Sequence, residues 1–297
     1  MARQAHKSLR IPKQEYTRRL RELVQRALRE DMGTGDATVR ALRLSRTRAQ
    51  AAIVAKSTGV LAGLDAVEAT FRALDTRAAF RWMVKEGKRV RRGQRVGVIT
   101  ATPAALLSGE RTALNFISRL SGVATSAHAL AEKLVSSNTR LLDTRKTTPG
   151  WRLLEKKAAT IGGAVNHRIG LFDALMIKSN HVIAVGDFAE TVRRAVHGKG
   201  KRTLVCEVRT MAEIHIALAA GVDWLLLDHF RGQRLRQAIT TIRAHDARHK
   251  TRTTVEVSGN ITVRNIARIA AYGPDFVSSG AITHSPLPVD YSLTWMA

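Results

Sequence analysis

The chain has 297 residues, 44% of them apolar, enough to build a core in one large domain or two. It carries 49 Lys and Arg against 24 Asp and Glu, a net charge of +25 that favours anionic partners. A single cysteine, Cys206, excludes an internal disulfide or a Cys-x-x-Cys site, and no apolar run approaches the roughly 20 residues that cross a bilayer.

Met1-Ala-Arg-Gln-Ala-His-Lys7 leads into no apolar signal-type stretch, so a cytoplasmic protein is expected. The positive charge is spread along the chain, with clusters at Arg18-Arg19-Arg21, Arg43-Arg46-Arg48 and Lys199-Lys201-Arg202. This reads as solvated faces rather than one basic tail. Residues 16–30 place Leu20, Leu23, Val24, Ala27 and Leu28 at helical spacing and predict an amphipathic helix. Short strand-like runs follow at Ala51–Ala55, Gly59–Gly63, Phe80–Val84 and Val96–Thr100, with a helix at Asp65–Leu74 among them. Residues 104–136 read as helical with a break near Ser121-Gly122.

From residue 139 the pattern changes to strand–helix alternation. Strand-like runs at Leu141–Leu142, Ala174–Ile177, Leu204–Val208, Trp224–Leu227, Thr254–Val257 and Phe276–Ser278 alternate with helices. The helices are expected at Trp151–Ile161, Asp187–Val196, Met211–Ala220, Gln233–Ala244 and Val263–Ala271. Alternation of this kind implies a parallel sheet with helices outside it. No Gly-x-Gly-x-x-Gly follows the first strand, so a barrel is favoured over an open dinucleotide-binding sheet. The last segment, 285–297, has two prolines and no helical period, and is expected to return to the first domain. Cys206 falls within a strand and reads as a small buried residue.

Each of the six runs stops at a polar or glycine-containing cluster: Asp143-Thr-Arg-Lys146, Lys178-Ser-Asn-His181, Glu207-Val-Arg209, Asp228-His229, Ser258-Gly-Asn260 and Ser279-Gly-Ala281. Turns need polar residues, but ionisable groups directly against four apolar runs point to a site at the carboxyl ends of barrel strands. Arg145, Lys146 and Lys178 suit carboxylate or pyrophosphate. Glu207 and Asp228 suit Mg²⁺ or a developing positive charge. The two glycine-containing ends suit a phosphate. Between the first two strands, Gly162-Gly-Ala-Val-Asn-His-Arg-Ile-Gly170 sets His167 and Arg168 in a glycine-bounded loop. These residue types indicate phosphoryl or phosphoribosyl chemistry without choosing between them.

Several motifs carry no such weight. Gly33-Thr-Gly35-Asp36 lacks a third glycine, and Gly198-Lys-Gly-Lys-Arg-Thr203 precedes a strand rather than following one. His6, His128 and His197 have no ligand spacing, and Asp36 and Thr38 read as structural.

The runs Glu110-Arg-Thr-Ala-Leu-Asn115, Asp143-Thr-Arg-Lys-Thr-Thr-Pro-Gly150, Asn166-His-Arg168, Ile177-Lys-Ser-Asn-His181, Leu227-Asp228, Val257-Ser-Gly259 and Gly280-Ala-Ile-Thr-His-Ser285 resemble the quinolinate phosphoribosyltransferase family. The resemblance runs from about Ala27 to the C-terminus. It implies an α/β fold with an N-terminal α/β sandwich over residues 1–115, completed by 286–297, and an incomplete α/β barrel over 116–285. It also implies transfer of phosphoribose from phosphoribosyl pyrophosphate to quinolinate with decarboxylation, and a homodimer with shared sites. Arg145, His167, Arg168 and Lys178 would bind quinolinate, Arg111 would join them from the neighbouring subunit, and Thr144 would be a further substrate-binding residue. Lys146, Glu207 and Asp228 would face ribose, pyrophosphate and Mg²⁺, while Ser258-Gly259-Asn260 and Ser279-Gly280-Ala281 would take the 5′-phosphate. Asp143 would be support.

The chain departs from the family pattern at four places. Val205-Cys-Glu207 stands for Glu-Val-Glu, Leu227-Asp-His229 for Leu-Asp-Asn, Lys178-Ser-Asn-His181 for Lys-Asp-Asn-His, and Ser258-Gly-Asn260 for Ser-Gly-Gly. A molybdenum-transport-associated paralogue is disfavoured by the complete set Arg111, Arg145, His167, Arg168 and Lys178. A nucleic-acid-binding role is disfavoured by 5% aromatic content and the lack of a recognition motif.

Overall fold

The computed structural model describes residues 12–44 and 47–296, so His6 and Arg46 lie outside the described residues. It divides into two compact units. The first runs to His128 and takes in Lys146–Gly163 and the chain from Ile282 onward; the second comprises Ala129–Arg145 and Ala164–Ala281.

The first unit begins with helix α1, Lys13–Met32, which buries Leu20, Leu23, Val24 and Leu28 along one stripe. Arg18 and Arg19 on its outer face pair with Glu15 and Glu22 of the same helix, so this basic cluster is a solvated surface. Gly33, at φ 54°, ends α1, and Asp36 starts α2, Ala37–Leu42, by accepting a hydrogen bond from the Val39 N–H. The Gly33–Asp36 segment is thus a helix–helix connection. Strands β1 (Ala49–Ala55) and β2 (Gly59–Val60), helix α3 (Leu64–Leu74), and strands β3 (Ala79–Trp82), β4 (Arg89–Val90) and β5 (Arg95–Ala101) follow. The main sheet is antiparallel, in the order C-terminal strand (Tyr291–Trp295), β1, β5, β3. Ile53 pairs with Leu293 on one side and Gly97 on the other, so the chain end does return to this sheet. Ile53, Leu61, Phe71, Ile99, Leu106 and Ile117 form the fully buried centre of its core.

Helix α4, Pro103–Ala131, is continuous, which corrects the break expected near Ser121-Gly122. Both residues serve packing instead. Ser121 Oγ accepts from the Ala62 N–H, and a Cβ on Gly122 would lie 2.5 Å from the Leu287 carbonyl oxygen. Glycine is there because another stretch of backbone crosses the helix at that point. Helix α5, Arg152–Ile161, also belongs to this unit, with Trp151 at its start stacked on Phe116.

The second unit contains six parallel strands: β6 (Arg140–Leu142), β7 (Leu175–Ile177), β8 (Leu204–Val208), β9 (Trp224–Asp228), β10 (Thr254–Ser258) and β11 (Phe276–Ser278). Their order is β6-β11-β10-β9-β8-β7, so the first strand of the series pairs with the last. That is the topology of a barrel open between β6 and β7. Val165 partly fills the opening: its N–H bonds to the Leu141 carbonyl, and its own carbonyl accepts from the Asp143 N–H. Residues 166–174 then span the remaining gap. Helices α6 (Ser179–Val185), α7 (Phe188–Gly198), α8 (Met211–Ala219), α9 (Gly232–His249) and α10 (Ile266–Ala270) connect the strands. Helix α6 has no counterpart among the expected elements, and α9 runs five residues beyond the expected end at Ala244.

Side chains alternate across the barrel wall with period two. Ile177, Leu204, Cys206, Val208, Leu225, Leu227, Val255 and Val257 face outward, packing against Ile214, Leu235, Ile239 and Ile242 of the helices. Leu142, Val165, Val205, Trp224, Leu226 and Phe276 face inward. Cys206 belongs to the outer layer, and burial, reinforced by Glu213 and Glu207, pushes its thiol up to about 12, as suits an inert packing residue. No described helix is long and apolar enough to cross a membrane.

Gly122→Ala is expected to lower the unfolding free energy by about 1–3 kcal/mol, since a packed backbone must move to admit the methyl group. Denaturant titration checks this; an unchanged midpoint would show that the Leu287 segment yields freely.

Candidate active site

The same alternation aims the strand-end residues into the barrel. Outward Ile177, Val208, Leu227 and Val257 require inward Lys178, Glu207, Asp228 and Ser258 at the carboxyl ends of neighbouring strands. The structure brings these four together as the sequence implied. Lys178 Nζ donates to Glu207 Oε2 at 2.9 Å, and the Ser179 N–H reaches Glu207 Oε1 at 3.3 Å. Arg209 joins the two acids, 3.5 Å from Glu207 and 3.7 Å from Asp228, and donates to Ser179 Oγ at 3.1 Å. Reading by strand ends included Arg209 but assigned it no role. Its exposed guanidinium is the group that bridges the carboxylates.

Asp143 is fully buried just beyond β6. Its carboxylate accepts from Asn166 Nδ2 at 2.7 Å and from the His167 N–H at 2.8 Å. These bonds fix the start of the loop that spans the barrel gap and so place His167 and Arg168. Asp173 fixes the other end, accepting from the N–H groups of Ile169 and Gly170. Arg168 is 7% exposed, and its Nη1 donates to the Ala174 carbonyl at 3.2 Å. Burial, together with the nearby charge of Arg145, lowers its pKa below the usual guanidinium value. Two like charges held close in a partly buried place repel each other, and an anion between them relieves that cost.

His167, which the resemblance places at quinolinate, has protein partners at both ring nitrogens. Its Nδ1 accepts from the Arg168 N–H at 2.7 Å, and its Nε2 lies 3.1 Å from Glu256 Oε2. Both ring nitrogens are engaged by the protein, and the ring stacks on Trp224, which stacks in turn on Phe276. Glu256 was not among the expected site residues. Burial raises its carboxyl, but His167, Ser278 and Lys178 together overcome that and hold it below the ordinary carboxylate range. The available signal was a charged residue between Val255 and Val257, in a strand that is buried on both faces.

The two glycine-containing ends are tied to each other, with Ser279 Oγ donating to the Ile261 carbonyl at 3.4 Å and the Ser279 N–H to Leu142. Gly259 takes φ 102° and Asn260 φ 48°. Asparagine tolerates the left-handed region, so the backbone here is compatible with the departure from Ser-Gly-Gly. His229, at φ 58°, is also left-handed; its Nδ1 lies 2.9 Å from Asp228 Oδ1, and its ring covers Gly259. The helices after these two ends are short, Ile266–Ala270 and Ala281–His284, so each offers little of the helix N-terminus expected there. Gly280 is half-buried and Ala281 exposed.

Thr144 and Arg145 are half-buried at the end of β6, and Lys146, next along the chain, is exposed and groups with the first unit. The loop after Lys146 is braced within that unit. The Lys146 carbonyl accepts from Thr283 Oγ1 at 2.6 Å, and fully buried Glu155 accepts from Thr148 and from Arg119. Arg111 also belongs to the first unit, exposed on α4.

Residues 36–121 match the N-terminal domain of quinolinate phosphoribosyl transferase, and residues 123–294 match its C-terminal domain. A Synechocystis protein named probable nicotinate-nucleotide pyrophosphorylase (carboxylating) is 39% identical over 266 residues, 89% of this chain and 88% of its own. A Bacillus subtilis protein of the same name is 36% identical over 275 residues, 92% of each chain. The solved nicotinate-nucleotide pyrophosphorylase of Francisella tularensis superposes with a TM-score of 0.87 at 35% identity, covering 97% of this chain and 98% of that one.

The lowered carboxyl of Glu256 ties stability to pH. Its contribution is complete above the ordinary value of 4.5 and is lost as pH falls through the lower value of the folded state. Unfolding measured from about pH 6 down to about pH 3 should show a decline that Glu256→Gln makes shallower. Parallel curves would assign the acid sensitivity to other groups.

Proposed function

The chain belongs to the quinolinate phosphoribosyltransferase family, and we propose that the strand ends of its second unit, with Lys146, divide the work of that family's reaction. The enzyme joins quinolinate to phosphoribosyl pyrophosphate, giving nicotinate mononucleotide, pyrophosphate and carbon dioxide, a step of NAD biosynthesis. The observation that carries the division of roles is the buried guanidinium of Arg168, with its pKa lowered by burial and by Arg145. A dicarboxylate is the ligand that converts this repulsion into attraction, because each guanidinium can pair with a carboxylate.

In this reading Arg145 and Arg168 take the quinolinate carboxylates, with Thr144 and Lys178 at the rim. Held there, the pyridine nitrogen attacks the anomeric carbon of the ribose as the pyrophosphate oxygen leaves, and positive charge grows on the sugar. Glu207 and Asp228 stand where carboxylates stabilise that charge. Lys146 is proposed to meet the phosphoribosyl donor. Ser258-Gly259-Asn260 and Ser279-Gly280-Ala281 are proposed to take the 5′-phosphate through backbone N–H groups and hydroxyls. After transfer the ring nitrogen is cationic, so the bond to the 2-carboxylate can break with its electron pair passing to the ring. A proton then replaces the carbon dioxide that departs.

Mg²⁺ suits Glu207 and Asp228 in chemistry, since both present hard oxygens at adjacent strand ends. Among the described residues no group of three or more His, Cys, Asp or Glu could hold a metal ion. When bound, the ion would neutralise the departing pyrophosphate. Arg111, exposed on α4, is proposed to serve the site of a second copy in a homodimer, as the family resemblance implies. The substrates are highly charged and do not cross bilayers unaided, in keeping with a cytoplasmic location.

Incubation of the purified protein with quinolinate, phosphoribosyl pyrophosphate and Mg²⁺ should yield nicotinate mononucleotide; its absence would sink the reaction. Arg168→Ala should raise the KM for quinolinate roughly 10- to 100-fold, about 1.4–2.8 kcal/mol, with little change for the phosphoribosyl donor. Unaltered quinolinate kinetics would remove Arg168 from the site. Lys146→Ala should cut turnover by about 100-fold or more, and near-normal kcat would withdraw its role.

A further inference from the structure

Glu256 lies in the middle of β10, 1% exposed, inside the barrel, and the reaction as derived makes no use of it. A buried carboxylate is costly unless its partners are well placed. One of its partners is His167, with Oε2 and Nε2 3.1 Å apart.

The opposite ring nitrogen settles where the imidazole proton sits. Nδ1 faces the Arg168 backbone N–H at 2.7 Å, and a backbone N–H can only donate, so Nδ1 is the acceptor and carries no proton. The proton is therefore on Nε2 and is donated to Glu256. One face of the ring lies against Trp224, with centroids 5.2 Å apart. Trp224 is in turn backed by Phe276 at the same separation. Orientation, position and tautomer of His167 are all determined by groups of the barrel interior.

The N–H captured by Nδ1 belongs to Arg168, in the loop across the barrel gap. Asp143 holds this loop at Asn166 and His167, and Asp173 holds it at Ile169 and Gly170. Neither carboxylate reaches the Arg168 backbone among these bonds. The His167 ring supplies that missing anchor.

We propose that Glu256 is a positioning residue for quinolinate: it holds His167 with its proton on Nε2, and His167 Nδ1 thereby fixes the backbone from which the Arg168 guanidinium is presented. The proposal rests on the reading that Arg168 binds a quinolinate carboxylate. Its chemistry is that of a carboxylate orienting a histidine, used here to aim a neighbouring cation.

Two variants of similar volume separate hydrogen bonding from packing. Glu256→Gln keeps an acceptor for Nε2–H, and Glu256→Met removes it. In the purified full-length enzyme, Glu256→Met should raise the KM for quinolinate by about tenfold or more while the KM for phosphoribosyl pyrophosphate stays within about twofold. Glu256→Gln should restore the quinolinate KM to within about threefold of wild type. A Met variant with wild-type quinolinate KM overturns the proposal, as does an equal rise in both KM values. If the Met variant does not fold, the nitrogen-15 spectrum of the His167 ring in wild-type enzyme decides. A neutral ring protonated on Nε2 supports the arrangement, and a proton on Nδ1 overturns it. Wild-type enzyme that forms no nicotinate mononucleotide would be a failure of the reaction itself, and the ring spectrum would still be read.

Discussion

A barrel that lacks a full wall must be held at its opening, and here a buried carboxylate does so. Asp143 follows the three-residue strand β6 and accepts from Asn166 and His167, while Val165 bonds to the chain on both sides of Leu142. Without these bonds the segment after α5 would have no register against the barrel, and the loop carrying Arg168 would have no defined start. The carboxylate survives burial because it is given charge-assisted or backbone donors, each worth more in the interior than in water. The candidate site is built on this closure.

Around it, charge is arranged by depth. Glu256 and Asp143 lie buried beneath the site, Arg145 and Arg168 are partly or largely buried beside the gap, and Lys178, Glu207, Arg209 and Asp228 form an interacting set at the strand ends. The deep acids serve position, and the cations and acids above them serve ligands. Most of the chain's large positive charge lies elsewhere and is of little consequence to this arrangement. Arg18 and Arg19 pair with acids on their own helix, as do Arg193 and Arg194 with Glu190, and exposed pairs of this kind contribute little to stability.

The departures from the family pattern have local physical accounts in two of four cases. His229 and Asn260 both occupy left-handed backbone, at φ 58° and 48°, where few side chains other than Asn, Asp and His are readily accommodated. Val205 faces inward with Trp224 and Leu226 in the apolar layer of the barrel, which does not explain the loss of an acid there. Ser179 offers its N–H to Glu207 and its hydroxyl to Arg209, contacts that do not explain the loss of an acid at that position.

Much of the second unit was legible in the order of residues. Trp224-Leu-Leu-Leu227 reads as a strand, and period two aims Asp228 and Glu207 inward once packing turns Leu227 and Val208 outward. Local chemistry of this kind is carried by sequence spacing, and so were the six parallel strands and the placing of Lys178, Glu207 and Asp228 at strand ends, while the return of the chain end followed from its composition and the family resemblance. What the tertiary structure decided were contacts between residues far apart in the chain. Ser121-Gly122 read as a helix break because glycine weakens helices, yet it is a crossing point for Leu287, and only packing distinguishes the two. His167 stands out in the sequence by its glycine-bounded loop and by the family resemblance, neither of which shows what holds its ring. Its two nitrogens were committed by Glu256, 89 positions away, and by the adjacent backbone once that loop was folded. A hydrogen bond is a property of two groups, and a sequence shows one of them at a time.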